Sequence, residues 1–335
     1  SSRQLRGDGE VRMLQQALNF QEAHNDDLQT TAFGDGIWVM FDYARGYAPD
    51  LESSGVMDVF RLPKFSYWFF RSQRDPDEMV AGKPIGPVVF IANDWTAHSP
   101  KQVRVFSNCQ EIALYLNGKL IARQKPDVSR ITTNLKHPPF TFDVSQFEPG
   151  TLKAVGYLND KVVASAERRA SGDITQMALN FDLSGRPFAR TGKDAVFCHA
   201  NLQDQNGTTV CTNGVTVFWG ATGGLKLVGN QPAATEAGTA ITLVAGDQAR
   251  ASGFIYALCL LKEGDQTRIL STAGSPDDGR APAFEIHYTT NGSEPSSSSP
   301  VYSQPVKSTP QLRAAIFAGG AIVAGTGTDD DTALR

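Results

Sequence analysis

Three side chains of one apolar run are the best candidates for ligand chemistry in this sequence. The run Gly36–Tyr43 reads GIWVMFDY and carries Trp38, Asp42 and Tyr43. An indole can offer a flat apolar face to a ring of a ligand, and a carboxylate or a phenol can exchange hydrogen bonds with its polar groups. A strand-end Asp can equally cap a loop or pair with an arginine. We predict ligand-binding roles for all three, with core packing as the alternative for Trp38.

No other constellation favours catalysis or metal binding. None of the five histidines pairs with another at a spacing of four, as helical metal ligands do, and no Ser/His/Asp arrangement stands in a motif context. The four cysteines show no CxxC spacing. The run Asp329–Asp331 lacks the ligand spacing and closing Glu of a calcium loop, and we interpret it as a solvated tail. We predict no catalytic residue, no metal ligand and no cofactor in this chain.

The elements that must position Trp38 alternate between helix and strand. Residues 10–24 place Val11, Leu14 and Leu18 at helical spacing, which predicts an amphipathic helix. The near-continuous apolar run Gly36–Tyr43 is typical of a parallel strand that is covered on both faces. Leu62-Pro63 then begins a second helix that continues through Arg71.

This helix-strand-helix segment cannot bury its own strand, so it needs the rest of a barrel or sheet. In the isolated chain, we expect the edges of the strand and the apolar faces of helices 10–24 and 62–71 to lack cover. Uncovered edges and faces of this kind associate or stay poorly ordered.

From about residue 84 the pattern changes to alternation interrupted by turn residues, which predicts β-structure. Strands are predicted at 102–107, 112–116, 120–122, 140–144, 151–157 and 161–167, with a hairpin turn at Asn117-Gly118. Further strands follow from Ala195 to Ala273 and again around Phe284–Tyr288. The predicted fold class is therefore multidomain and mainly β. The predicted boundaries are 1–78, 84–170, 171–273 and 276–335.

The remaining aromatic residues and cysteines each allow a functional and a structural interpretation. Phe65, Trp68 and Phe69 share one helical face, so core packing is favoured over a ligand patch. Trp95 and Trp219 could stack on a ligand, but burial in a sandwich is more common. Cys198 and Cys211 flank a turn with an offset that exceeds disulfide reach, which favours buried free thiols.

The composition excludes several function classes. The net charge is −4, so no overall positive field attracts phosphate backbones, and we predict no nucleic-acid partner. No stretch is apolar and long enough to span a bilayer, and the first residues lack the apolar region of a secretory signal. If the parent protein is exported, its signal therefore lies upstream of this chain.

The same residues carry a resemblance to a known family. The first part of the chain resembles the end of the catalytic barrel in family 2 glycoside hydrolases of the β-galactosidase type. The resemblance lies in Gly36–Tyr43, Arg45-Gly46-Tyr47, Val56-Met57-Asp58 and a Lys-x-x-Tyr-x-Phe helix that begins at Lys64. Downstream, Val105–Lys119 with Gly150–Tyr157 is similar to the sandwich that follows that barrel. Leu202–Thr208 with Val215–Phe218 is similar to the next sandwich of longer members. Ile286–Pro295 with Ser299–Tyr302 resembles the small C-terminal module of chitobiases and hexosaminidases.

The resemblance implies a fold, a substrate class and a mechanism. Residues 1–78 would be the C-terminal remnant of a TIM (β/α)8 barrel, followed by immunoglobulin-like β-sandwich domains and a chitobiase-like module at 276–335. Ligands of such barrels bind at the C-terminal ends of strands, which would place Trp38, Asp42 and Tyr43 against a carbohydrate substrate. Retaining glycosidases need two carboxylates about 5–5.5 Å apart. In this family both are Glu residues on earlier strands, and no Glu near the barrel segment stands in the family's motif context.

We therefore expect this chain to be a C-terminal fragment that does not hydrolyse glycosides by itself. Its partners would be a carbohydrate and the N-terminal barrel portion of the parent enzyme, with homo-oligomerisation left open. The family suggests a periplasmic or extracellular location, which the sequence leaves undecided. The alternatives are a carbohydrate-binding β-sandwich module and a purely structural one.

Overall fold

The computed structural model describes residues 2–192, 194–229, 231–246, 252–277 and 279–327. The predicted solvated tail at Asp329–Asp331 lies outside the described residues. The contact pattern divides the chain into two compact units, Ser1–Ser171 and Gly172–Arg335. The chain is mainly β with several antiparallel sheets, as predicted, and the finer division into four domains stays a prediction.

The first unit begins with helices and continues as antiparallel strands. After a 3-10 turn at Arg6–Asp8, its α-helices are α1 (Glu10–Asp27) and α2 (Phe65–Ser72). Its strands are β1 (Tyr43–Ala44), β2 (Leu51–Glu52), β3 (Met79–Val80), β4 (Lys83–Pro84), β5 (Val89–Ala92), β6 (Gln102–Ser107), β7 (Glu111–Leu116), β8 (Lys119–Gln124), β9 (Phe140–Asp143), β10 (Thr151–Leu158) and β11 (Lys161–Arg169).

Strands β5 to β11 form a sandwich. One sheet has the order β5-β6-β9 and the other the order β11-β10-β7-β8. Alternate side chains of both sheets fill a shared core, for example Val103 and Phe140 from the first sheet and Leu114 and Leu152 from the second. The predicted strands and the hairpin turn are confirmed. Asn117 and Gly118 have φ of 51° and 78°, the left-handed conformation that a two-residue hairpin turn requires.

Helix α2 packs on the sandwich through aromatic residues. Phe65, Trp68 and Phe69 contact Phe90 on β5 and Phe106 on β6. The prediction that these helix residues pack in a core is therefore confirmed. The prediction that the apolar faces of the two helices lack cover is wrong, because the sandwich supplies that cover: the same cluster includes Met13 and Ala17 from α1.

Helix α1 forms over the predicted residues, but much of the face that it buries is polar. Val11 is 60% exposed, whereas Gln16, Gln21 and Asn25 are buried. The amide of Gln21 donates to the carbonyl of Ile131 at 2.9 Å. Asn25 donates to the carbonyl of Arg130 and accepts from the backbone N–H of Asn134. The helix therefore docks on a sandwich loop by amide hydrogen bonds, which a hydrophobic pattern does not reveal.

The predicted buried strand Gly36–Tyr43 does not form as such. Trp38 is 66% exposed and Met40 is 46% exposed. The described pairing of this run is a short parallel contact in which Phe41 bridges Met57, followed by the two-residue ladder of β1 and β2. The run is apolar enough to be covered on both faces, but no second strand among the described residues lies along its full length.

The second unit contains three antiparallel sheets built by strands β12 (Gln176–Asp182), β13 (Ala195–Gln203), β14 (Thr216–Ala221), β15 (Leu225–Val228), β16 (Ala233–Ala234), β17 (Thr239–Gly246), β18 (Ile255–Glu263), β19 (Gln266–Gly274), β20 (Phe284–Thr289), β21 (Val306–Lys307), β22 (Arg313–Ala318) and β23 (Ala321–Gly325). Their orders are β12-β13-β17-β15, β16-β14-β18-β19-β21 and β20-β22-β23.

Strand β18 lies between the two cores of this unit. Its Ala257 and Cys259 belong to the core shared with β13 and β17, whereas Tyr256 and Leu258 belong to the core shared with β22 and β23. This double burial explains its continuous apolar sequence. Trp219 is buried, as is Trp95 in the first unit, so neither forms a surface platform. Cys198 is a buried free thiol as predicted, but Cys211 is exposed.

We predict that the aromatic contact between α2 and the sandwich is a major source of stability in the first unit. Phe69 is fully buried and Phe33 is fully exposed, so Phe69→Ala should lower the free energy of unfolding by about 3–5 kcal/mol. The matched substitution Phe33→Ala should change it by less than about 0.5 kcal/mol. Urea denaturation measures both, and equal effects of the two substitutions would contradict this packing.

Candidate functional site

Trp38 and Tyr43 form an aromatic pair on the surface of the first unit. Their rings meet edge to face, with centroids 6.2 Å apart and an interplanar angle of 74°. Trp38 is largely exposed and Tyr43 is half-buried. The peptide bond between Trp38 and Val39 is cis. The edge-to-face contact brings two of the three predicted site residues together, and most of the Trp38 side chain stays open to solvent.

Asp42, the third predicted site residue, is buried instead. Its residue exposure is 2%, and its Oδ1 accepts a hydrogen bond from Lys64 Nζ at 2.8 Å and from the backbone N–H of Gly55 at 2.9 Å. Burial raises the pKa of Asp42 to about 6, although the hydrogen bond and the charge of Lys64 act in the opposite direction. The placement supports a structural role for this carboxylate, because its side chain is enclosed by protein.

Lys64 is the residue that sequence reasoning missed. Its side chain is fully buried, and Nζ donates to the carbonyl of Gln4 at 2.5 Å, to Asp42 Oδ1 at 2.8 Å and to the carbonyl of Ser53 at 2.9 Å. A lysine at the start of an otherwise apolar helix was the available signal, because a buried ammonium needs an anionic partner. The sequence did not reveal that this partner is Asp42.

A buried glutamine extends the same polar cluster. Gln16 on α1 donates to the carbonyls of Ser2 and Gly55, and its Oε1 accepts from the hydroxyl of Ser66 on α2. Gly55 fits tightly here: an added Cβ would lie 2.3 Å from the backbone nitrogen of Asp42 and 2.6 Å from its Oδ1. We call Gln16, Asp42, Gly55, Lys64 and Ser66 the polar hub.

A second buried ion pair lies beside the hub. Arg6 Nε is 2.7 Å from Asp58 Oδ2, and Asp58 is 2% exposed. The other oxygen of Asp58 accepts from the backbone N–H groups of Phe60 and Leu62. This contact fixes the chain immediately before α2, and the negative charge of Asp58 adds to the rise in the pKa of Asp42.

The hairpin of β1 and β2 carries exposed charges and one exposed aromatic ring. Arg3 and Arg45 pair with Asp50, and hydrogen bonds from these two guanidinium groups, Arg3 first, lower the pKa of Asp50. Tyr47 is 84% exposed at the turn. Tyr43 is the first residue of β1, so the aromatic pair and this polar surface share the hairpin.

The glutamates near the site are each engaged in a local contact. Glu10 is buried and accepts from the backbone N–H of Asp94 at 2.7 Å. Glu22 pairs with Arg130, Glu52 accepts from Ser54, and Glu78 pairs with Arg74. Within the described residues no group of three or more His, Cys, Asp or Glu side chains could hold a metal ion. No described helix is both long and apolar enough to cross a membrane.

Two family models match separate parts of the chain. A domain of unknown function, DUF4982, matches residues 98–164, which lie in the first sandwich. The chitobiase/β-hexosaminidase C-terminal domain matches residues 262–325, which include β20, β22 and β23.

Curated relatives are glycosidases that are much longer than this chain. A β-galactosidase of Thermoanaerobacter pseudethanolicus is 32% identical over 219 residues, which are 60% of this chain and 28% of the relative. A β-galactosidase of Rhizobium meliloti is 28% identical over 214 residues, with shares of 60% and 27%. A putative β-glucuronidase of Formosa agariphila is 24% identical over 308 residues, with shares of 79% and 27%. The chain thus spans less than a third of the length of each of these relatives.

Solved structures share the fold at low identity. A β-glycosidase from Bacteroides vulgatus matches with a TM-score of 0.54 at 17% identity and covers 70% of this chain and 30% of that structure. A glycosyl hydrolase family 2 member from Bacteroides cellulosilyticus matches with a TM-score of 0.55 at 19% identity, with shares of 78% and 36%.

The resemblance seen in the sequence is confirmed by these matches. The chain is similar to the C-terminal portion of family 2 glycoside hydrolases of the β-galactosidase and β-glucuronidase type, and it contains regions that match DUF4982 and the chitobiase-like C-terminal domain.

Proposed function

We propose that this chain is the C-terminal part of a retaining glycoside hydrolase that acts on β-linked galactose-type glycosides. In this proposal residues 1–78 complete a (β/α)8 barrel, and Trp38 forms one wall of the sugar subsite with Tyr43 at its edge. The sandwiches that follow would be immunoglobulin-like domains. The 32% identity to a β-galactosidase supports the galactoside over other substrates.

The observation that carries the proposal is the exposure of Trp38 on an apolar segment. Ile37, Trp38 and Met40 are all exposed, although an apolar run of this kind is normally covered. In the complete enzyme, the remaining barrel would cover part of this segment and leave the indole face toward the bound sugar. Ligands of such barrels bind at the C-terminal ends of the strands, which is where Trp38 and Tyr43 would lie.

The catalytic carboxylates would come from another part of the enzyme. A retaining mechanism needs a nucleophile and an acid/base about 5–5.5 Å apart. Glu10, Glu22, Glu52 and Glu78 are each held in a local structural contact, and the relatives are more than three times as long as the regions they share with this chain. Both observations support a division in which this chain provides binding and support.

Two alternatives are weaker but specific. Relatives at 24% identity include β-glucuronidases, so a β-glucuronide is the second candidate substrate. A carbohydrate-binding function of the sandwiches is less well supported, because Trp95 and Trp219 are buried and cannot stack on a polysaccharide.

We predict that the purified chain turns over neither p-nitrophenyl β-galactoside nor p-nitrophenyl β-glucuronide, because it would lack both catalytic carboxylates. Release of p-nitrophenol is the measurement. Turnover that disappears on mutation of Glu10 or Glu52 to Gln would show that the chain has its own active site and would contradict the proposed division.

We predict that Trp38→Ala in the complete enzyme raises KM for the β-galactoside about tenfold, because loss of a stacking ring removes roughly 1–2 kcal/mol of binding. Phe33→Ala is the matched control, since Phe33 is also an exposed aromatic residue and lies just before the run that carries Trp38, and it should leave KM unchanged. Equal kinetics for wild type and Trp38→Ala would contradict a role of Trp38 in sugar binding. Faster turnover of the β-glucuronide than of the β-galactoside by the wild-type enzyme would favour the β-glucuronide as the substrate.

A further inference from the structure

The sandwich of β5 to β11 holds helix α2 by stacked rings. The ring of Phe90 on β5 lies parallel to Trp68, with centroids 4.7 Å apart and an angle of 7°. The guanidinium of Arg168 on β11 lies 4.9 Å from the centre of the same Phe90 ring. Phe69 meets Phe106 on β6 at 5.9 Å. Ring contacts of this kind restrict the rotation and sliding of a short helix on a sheet.

The N-terminal end of α2 carries this fixed position to the polar hub. Lys64 immediately precedes α2 and is the N-cap residue. Its ammonium binds Asp42, Gln4 and Ser53, and its backbone N–H donates to the carbonyl of Val56 at 2.9 Å. One residue therefore connects α2 to the N-terminal segment, to the loop before α2 and to the run that carries Trp38.

The hub in turn holds the backbone on which Trp38 lies. Val56 and Met57 donate to the carbonyls of Val39 and Met40, and the N–H of Asp42 donates to Met57, each at 3.0 Å. The side chain of Trp38 contacts Tyr43 but is mostly open to solvent. The position of the indole is therefore set by the backbone of residues 38–42, and this backbone is held at Asp42 by the ion pair with Lys64.

We propose that the DUF4982-containing sandwich serves to position Trp38, and that Lys64 is the positioning residue through which it acts. This inference rests on the proposed function, in which Trp38 contacts the sugar. The connection between Lys64 and Trp38 can nevertheless be tested without a sugar. The sandwich fixes α2, α2 fixes Lys64, and Lys64 with Asp42 fixes the Trp38 backbone.

The burial of Asp42 beside Lys64 gives the connection a pH dependence. The titratable groups facing Asp42 are Lys64 and Asp58, and Asp58 is paired with Arg6. Burial raises the pKa of Asp42 to about 6 from 3.8, so the folded chain binds this proton more tightly than the unfolded chain does. Relative to Asp42→Asn, the wild type should therefore lose unfolding free energy as pH rises from about 4 to about 6 and show no further change above that range. A constant difference across this range would contradict this pH dependence.

The mechanical test uses the complete chain labelled with 5-fluorotryptophan, in which Trp38→Phe identifies the fluorine signal of Trp38. Lys64→Met should broaden or split that signal and speed hydrogen exchange of the Val39–Asp42 amides about tenfold. The signal of Trp95, which is buried in the sandwich core, should stay sharp. If Lys64→Met unfolds the unit, the Trp95 signal broadens as well, and the variants described next then test the connection.

Two further variants approach the connection from either end. Gly55→Ala should disturb Trp38 because the new Cβ would contact Asp42, whereas Gly34→Ala should not, since an added Cβ there meets nothing within 4 Å. Phe90→Ala should disturb Trp38 from the sandwich side, with Phe33→Ala as its control.

A double-mutant cycle on the kinetics of the complete enzyme distinguishes a positioning role of Lys64 from general destabilisation. Lys64→Met should lower kcat/KM about tenfold when Trp38 is present and have little further effect in the Trp38→Ala background. If Trp38→Ala itself has no effect on kinetics, the proposed function fails while the fluorine spectra still decide the positioning. An unchanged Trp38 signal in Lys64→Met, Gly55→Ala and Phe90→Ala would overturn the inference.

Discussion

The buried ammonium of Lys64 is the contact on which the organisation of the first unit depends. Taking a charge out of water costs several kcal/mol unless opposite charge and hydrogen bonds replace the solvent. Here the replacement is complete for the three protons of Nζ, which are donated to Gln4, Asp42 and Ser53. These acceptors lie in three separate parts of the chain, so the segments can move apart only by exposing a buried charge. The ion pair therefore specifies one arrangement of the N-terminal segment, the Trp38 run and α2.

The two helices are held on the sandwich by different interactions, α2 by packing and α1 largely by hydrogen bonds. Helix α2 is held by aromatic rings, which exclude water and stabilise by area and stacking. Helix α1 adds directional contacts, because Gln21 and Asn25 bind the carbonyls of Ile131 and Arg130. The sandwich is thus both a hydrophobic base and a hydrogen-bonding partner for the segment that carries the candidate site.

The sequence predicts the β-structure well because its signals are local. Alternation identifies strands such as Gln102–Ser107, and Asn117-Gly118 identifies a hairpin turn from the conformation that these two residues tolerate. The buried polar face of α1 is not predictable from hydrophobic spacing, since its amides pair with a loop more than 100 residues away. Lys64 and Asp42 are 22 residues apart, and nothing in their local sequence shows that they meet. The exposure of Trp38 and Met40 also escapes prediction, because an apolar run indicates a need for cover without showing which segment provides it.

The position of Trp38 relative to a bound sugar is measured most directly by a crystal structure of the complete enzyme with galactose in the active site. We predict that the indole face lies in van der Waals contact with the C–H groups of the sugar, at about 4–4.5 Å, and that the Asp42–Lys64 pair remains closed beneath it. An indole packed against protein, with the sugar bound elsewhere, would contradict the role proposed for this chain.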